Sequence, residues 1–336
     1  NMTNTTEASI DDEAKVTAKN LQVKATDELV TWSLSGAFNM SDTAAVGIAV
    51  AYTDIITRTN AFIGDNDINF ASLANPTGST LVLTDGEISA NDIVVNARTD
   101  GRIESIAVAA TLANSSAPTP FKKQKASRDL LAADQKTETN RLERQNAASD
   151  LLSKVPGGSK TATTYNPKFG AGISGAASVN LSDLDTKAYI KHPNVKGVGS
   201  SNTLNISAVN DTDITAASGS AALTRANAPS ASRSAAFAGA VTVNLLGNDT
   251  SAYIDSSTVT NMNDVDVMAL EGGEQLSVAI GAAVNASAKK DDAASVAGSV
   301  SVSQVENTVK AYIKDSTVKA PGSCLLYTSD AADELT

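Results

Sequence analysis

Aromatic residues make up only 4% of this 336-residue chain, with one Trp, one His and one Cys. A compact core usually leans on large side chains, so this chain is expected to bury small β-formers in a narrow interior. The single Cys324 excludes an internal disulfide, and the single His192 stands alone in "YIKHPNV", with no Ser or Cys beside it to suggest a catalytic pair. Basic residues are outnumbered, 26 against 37 acidic ones, for a formal charge of −11 and a pI near 4.6. That balance argues against nucleic-acid binding, which needs Lys and Arg against phosphate. No run of about 18 apolar residues occurs, so no helix should span a membrane. The chain opens at Asn1 with no basic-then-apolar signal segment, which reads as a missing N-terminus.

Repetition is present instead. The stretches "TRTNAFIGDNDI" from Thr57, "LDTKAYIKHPNV" from Leu184, "NDTSAYIDSSTV" from Asn248 and "ENTVKAYIKDSTV" from Glu306 are versions of one strand. Ahead of each lies a second repeated segment, from Leu21, Ile93, Leu204 and Val265. A third lies between them, as in "GIAVAYTD" from Gly47 and "AGAVTVNLL" from Ala238. Tyr189 to Tyr253 is 64 positions and Tyr253 to Tyr312 is 59. Each unit therefore reads as three or four short strands.

Alternate side chains of a strand point to opposite faces. Thr59, Ala61 and Ile63 recur as Thr186, Ala188 and Ile190, then as Thr250, Ala252 and Ile254, with Val309, Ala311 and Ile313 in the last copy. This constant face is expected inside. The variable face, with Phe62, Tyr189, Tyr253 and Tyr312, is expected in solvent, the rings covering neighbouring strands or contacting glycans. In "VTVNL", Val241, Val243 and Leu245 are placed inside, and Thr242 and Asn244 outside. Nothing helical separates the strands as a βαβ fold would require. The expected fold is all-β: a right-handed parallel β-helix of about 20 residues per coil, three coils per unit, with one helical insertion.

The insertion is "SRDLLAADQKTETNRLERQNAASDLLSKVPGG", Ser127 to Gly158, rich in helix formers and stopped by Pro156 and two glycines. Other units carry shorter polar loops at the same junction, so one corner should tolerate inserts. The expected division is β-helix over 1–112, insertion with flexible flanks over 113–170, and β-helix over 171–323. Residues 324–336 stand apart, because "CLLYTSDAADE", Cys324 to Glu334, resembles the translation of a sequencing-library adapter. They are expected to lie outside the fold, as the end of a metagenomic fragment.

Candidate chemistry is sparse. His192 reads as an exposed loop residue before Pro193. The acidic stretches "DNDIN" from Asp65, "NDTD" from Asn210 and "NDVD" from Asn263 read as turns, with calcium coordination as the functional alternative. Neither the nonapeptide calcium repeat nor a Gly-rich phosphate loop is written in the sequence. No catalytic, cofactor or metal residues are assigned, and no enzyme activity is expected.

The "T-x-A-Y-I-x-x-S-x-V" strands, the Val-Asn strand endings and the "SVAIGAAV" segment resemble the repeats of large secreted filamentous adhesins over about Leu21 to Val318. These are the haemagglutinin-like and leukotoxin-type adhesins of Gram-negative bacteria, exported by autotransport or two-partner secretion. The resemblance implies a secreted or cell-surface virulence protein whose parent uses an outer-membrane transporter. It also implies attachment to a protein or glycan receptor on host cells or other bacteria. A non-catalytic structural stalk or adhesive segment of a surface fibre is expected, as a monomer. The alternatives are a polysaccharide-active β-helix enzyme, disfavoured by the missing acid/base cluster, and a trimeric autotransporter head, whose repeat would be about 14 residues.

Overall fold

The computed structural model describes residues 1–11, 13–41, 44–65, 86–115, 169–226, 233–287 and 293–330. Among the described residues the fold is all-β and contains no helix. The strands, in chain order, are β1 (Met2–Ile10), β2 (Lys15–Ser41), β3 (Ala44–Gly64), β4 (Glu87–Ser115), β5 (Phe169–Lys191), β6 (Asn194–Gly197) and β7 (Thr203–Ala226). There follow β8 (Arg233–Asp255), β9 (Thr258–Thr260), β10 (Asp264–Gly272), β11 (Gln275–Ser287), β12 (Ala293–Lys314), β13 (Thr317–Val318) and β14 (Ser323–Asp330). The expected insertion helix, 127–158, lies outside the described residues.

All pairings are parallel and fall into two sheets. The first has the order β1-β3-β5-β8-β12. In the second, β2 pairs β4, β4 pairs β6 and β7, and β7 pairs β10 and β11, with β9, β13 and β14 extending the later layers. The chain alternates between sheets, so each repeat adds one layer to both. The stretches 1–112 and 171–323 join directly, since β3 pairs β5 and β4 pairs β7.

This layering corrects the expected coil size. Tyr189 pairs with Tyr253 and Tyr253 with Tyr312, so one unit of about 60 residues is one layer, not three. The physical reason is strand length. Alternation runs unbroken through β3, β5 and β8, which are 21, 23 and 23 residues long, against a usual 3–10. The segments read as separate short strands are single long ones. The first copy of the repeat also went unread: in β1, Thr6, Ala8 and Ile10 pair with Thr59, Ala61 and Ile63.

An unbroken strand has one inward parity, which settles the faces. Thr250, Ala252 and Ile254 are inward and fully buried as expected, and Ala252 and Ile254 join Ile63, Ile190, Val23, Ile93, Leu204 and Val265 in the main aliphatic core. Thr242 and Asn244 share their parity in β8 and are equally buried, so the expected solvent position for Asn244 is wrong. Asn244 donates from Nδ2 to the Leu276 carbonyl and accepts from Asn180 Nδ2 at 3.2 Å. Val241 and Val243 lie on the opposite side of the sheet, packed with Val179 and Leu181. The rings of the variable face cover neighbouring strands, as one of the two readings expected, but are not in solvent. Phe62, Tyr189 and Tyr253 are buried, and with Tyr312 they stack at centroid spacings of 4.8–5.0 Å, the spacing of the layers themselves.

The interior is banded. Beyond the main aliphatic core comes a polar column, then a second aliphatic band of Leu29, Ile55, Ile103, Leu184, Ile214 and Leu246. Next is a hydroxyl and amide band, where Ser178 donates to Ser105 and Ser218 meets Thr242. Alanines, among them Ala49, Ala107 and Ala176, close the far end. Small residues there let the sheets come close. Ser178, Ser218 and Thr242 find partners across the gap, whereas the buried hydroxyls of Thr53, Thr57, Ser182 and Ser220 make no hydrogen bond among the described residues.

The corner after the aromatic position turns through left-handed backbone at Gly64 (φ 100°), His192 (φ 73°), Ser256 (φ 50°) and Asp315 (φ 47°). At Gly64 a Cβ would come within 1.8 Å of the Lys191 carbonyl oxygen, so only glycine fits. The opposite junction, where β2, β4, β7 and β11 hand over to β3, β5, β8 and β12, is the one that carries the insertion. Ser115 and Phe169 flank the insertion in register with Ala226 and Arg233.

Residues 324–336 were expected to lie outside the fold. Ser323–Asp330 instead forms β14, parallel to Asp264–Glu271 of β10. Cys324 and Leu326 align with the inward Val265 and Val267, so the tail happens to carry the alternation that the column accepts.

With both neighbours buried, Asn244→Asp and Val243→Asp should each destabilise by several kcal/mol, and their thermal midpoints should fall by similar amounts. A neutral Asn244→Asp would show that the strand parity is wrong.

Candidate functional site

The site with the most unusual chemistry is the polar column inside the stack. Successive layers of the second sheet place Asp27, Thr99, Asn210, Glu271 and Asp330 at one inward position. Asp27, Thr99, Asn210 and Glu271 are all buried. The facing strands of the first sheet supply the partners. Asn4 Nδ2 donates to Asp27 Oδ1 at 2.7 Å. Thr99 Oγ1 donates to Thr59 Oγ1 at 2.9 Å and lies 2.8 Å from Thr186 Oγ1.

Glu271 is the centre of this network. Its Oε1 accepts from Asn210 Nδ2 at 2.9 Å and Asn248 Nδ2 at 2.7 Å, and its Oε2 accepts from Thr250 Oγ1. Asn210 Oδ1 in turn accepts from Thr212, and Asn248 Nδ2 also reaches Asn307 Oδ1 at 3.2 Å. Burial pushes the Glu271 carboxyl up to about 7, with Asp330 adding like-charge repulsion and the three donors opposing the rise. A carboxyl in that range could pass a proton near neutrality. It lies buried between the sheets, with its oxygens occupied by the donors of Asn210, Asn248 and Thr250, which link neighbouring strands of both sheets.

The residues singled out in the sequence are scattered. His192 lies in the connection between β5 and β6, a loop position as expected, but half-exposed, with its Nδ1 2.8 Å from Asp65 Oδ2. "NDTD" is not a turn: Asn210 to Asp213 runs within β7, with Asn210 and Thr212 inward. Of "NDVD" only Asn263 lies at a turn, since Asp264 to Asp266 open β10; Asn263 Nδ2 donates to Asp264 Oδ2 and Asp264 Oδ1 accepts from the Ser323 amide and hydroxyl. Those hydrogen bonds hold the Asp264 carboxyl below its ordinary range. "DNDIN" lies, after Asp65, outside the described residues. Among the described residues no group of three or more His, Cys, Asp and Glu could hold a metal ion.

Sequence reasoning missed the Glu271 column, although its signal was available. Aligning "LQVKATD", "IVVNART", "LNISAVN" and "VDVMALE" puts Asp27, Thr99, Asn210 and Glu271 at one step of the inward alternation.

Because Glu271 binds its proton more tightly folded than unfolded, its contribution to stability is fully present below about pH 4.5 and is lost as pH rises through about 7. At about 1.4 kcal/mol per pKa unit the loss is on the order of 3 kcal/mol. Glu271→Gln keeps an acceptor for the asparagines and mimics the neutral acid. The wild-type melting midpoint should fall between pH 5 and pH 8, and the variant should flatten that fall.

No protein-family profile, no curated protein and no solved structure matches the chain.

Proposed function

We propose that the chain is a non-catalytic adhesive segment of a bacterial surface or secreted filamentous adhesin. In this reading it is built as a right-handed β-solenoid, exported through an outer-membrane transporter used by the full-length parent, and attached to a receptor on host cells or other bacteria. The observation that carries the proposal is the division of labour between columns. Several inward positions of the first sheet keep the same residue from layer to layer, as in Ala8, Ala61, Ala188, Ala252 and Ala311. Outward positions of the same strands change freely, as in Arg58, Asp185, Asp249 and Thr308. That is the pattern of a scaffold whose surface is open to binding.

Layer size favours adhesion over reach. A unit of about 60 residues advances the stack by only about 4.8 Å, a third of the gain from a coil of about 20 residues. The long strands instead give a broad face, roughly 75 Å along a 23-residue strand such as β8. A broad display surface with an insertion at one corner suits attachment better than a stalk does.

The test is binding of the labelled, purified chain to host epithelial cells and to Gram-negative bacteria, read by flow cytometry. Saturable binding that unlabelled chain competes away is expected, alongside no release of reducing ends from a polysaccharide panel. Depolymerising activity, or no saturable binding to either cell type, would contradict the proposal. Removing residues 117–167 should preserve the strand signal in circular dichroism, since Ser115 and Phe169 already lie at adjacent strand ends. Collapse of that signal would place the insertion in the core.

A further inference from the structure

The outer face of the second sheet, towards the insertion junction, is built as if to be covered. Over β2, β4, β7 and β11, four successive outward positions carry no charged or polar side chain. They start at Leu34, Ile106, Ala217 and Val278 and end at Met40, Leu112, Leu223 and Val284. Most of the large residues among them are open to solvent: Leu34 is 79% exposed, Phe38 70% and Ile280 62%, while Ile106, Leu112 and Val278 are half-buried. Four strands at about 4.8 Å and four positions at about 6.6 Å give roughly 500 Å² of apolar surface, at the upper end of what a soluble monomer exposes.

Within this face one column reads Gly36, Val108, Gly219, Ile280. A Cβ at Gly36 or Gly219 would meet nothing within 4 Å, and neither has positive φ. The fold therefore does not require glycine there, and glycine weakens a strand interior. A strand glycine often marks a bulge or the close approach of a ligand or another backbone, and here the second is the one that the apolar surroundings favour.

We propose that this face is the interface of a homodimer, formed by two copies stacked face to face about a two-fold axis parallel to the strands. Such an axis reverses the order of layers. Gly36 then faces Ile280 of the second copy, and Val108 faces Gly219, so each knob meets a gap. The neighbouring column behaves likewise, Phe38 facing Ala282. At the rim Trp32 faces Leu276, and Arg102 faces Asp213, which are opposite charges. One step further, Asp100 would face Asp211, so the contact ends there. Both faces together bury about 1,000 Å², the lower bound for a specific interface, at the roughly 10 Å spacing of stacked sheets. This replaces the expectation of a monomer.

The full chain should be followed by sedimentation equilibrium between about 1 and 100 µM. A concentration-dependent dimer is expected. Gly219→Lys directs its side chain into open space in the single chain but into Val108 of the second copy. It should be monomeric with unchanged circular dichroism, as should Ile280→Lys. Arg102→Asp and Asp213→Arg should each weaken the dimer and together restore it, which decides the matter even if Ile280→Lys misfolds. A wild type that stays monomeric overturns the proposal, even if it binds lipid vesicles through this face. So does a dimer that survives both lysine substitutions, which would mean association through sheet edges.

Discussion

Each layer must present, at every inward position, a residue that fits directly on the one a layer away. This follows from parallel strands pairing in register about 4.8 Å apart. A side chain between two layers has no lateral room to avoid its counterparts, so the column tolerates few changes in size. The alanine column through Ala61, Ala188 and Ala252 and the isoleucine column through Ile63, Ile190 and Ile254 meet this requirement with identical residues. The same geometry lets Phe62, Tyr189, Tyr253 and Tyr312 stack with nearly parallel rings. Stability is then largely a matter between neighbouring layers, which is why insertions at one junction leave the registers on either side intact.

The interior is not uniformly apolar, and its polar bands follow from the same constraint. A sheet wide enough to hold strands of more than 20 residues has too much inner surface for the few large aliphatics of this composition. Serine, threonine and asparagine fill the remainder, and some of them hydrogen-bond across the gap or between layers. Asn180 on Asn244 and Ser178 on Ser105 are examples. Glu271 is the extreme member: a carboxyl placed where neighbouring layers have Asn210 and Asp330, satisfied by three donors and strained by its own charge.

Much of the fold was legible. The period-two alternation announced strands, the Thr-Ala-Ile face announced its own burial, and the absence of βαβ spacing announced an all-β chain. Layer size was not legible, because repeat length does not reveal how many times the chain crosses between sheets within a repeat. The error at Asn244 has the same origin. Val241-Val243-Leu245 and Thr250-Ala252-Ile254 were both placed inside, yet they have opposite parity, which is consistent only if a corner separates them. No corner does. Hydrophobicity alone misled at that point, since apolar outward residues and polar inward ones invert the usual pattern. The candidate column was legible only by aligning the second segments of all units.

The central claim is that one unit makes one layer. Arg58, Asp185, Asp249 and Thr308 occupy one outward column. Spin labels on cysteines replacing Arg58 and Thr308, with Cys324 changed to Ser, report the spacing of three layers by double electron–electron resonance. One layer per unit predicts backbone positions about 14 Å apart, whereas three coils per unit predict about 43 Å. A distance distribution centred near the longer value would contradict the account.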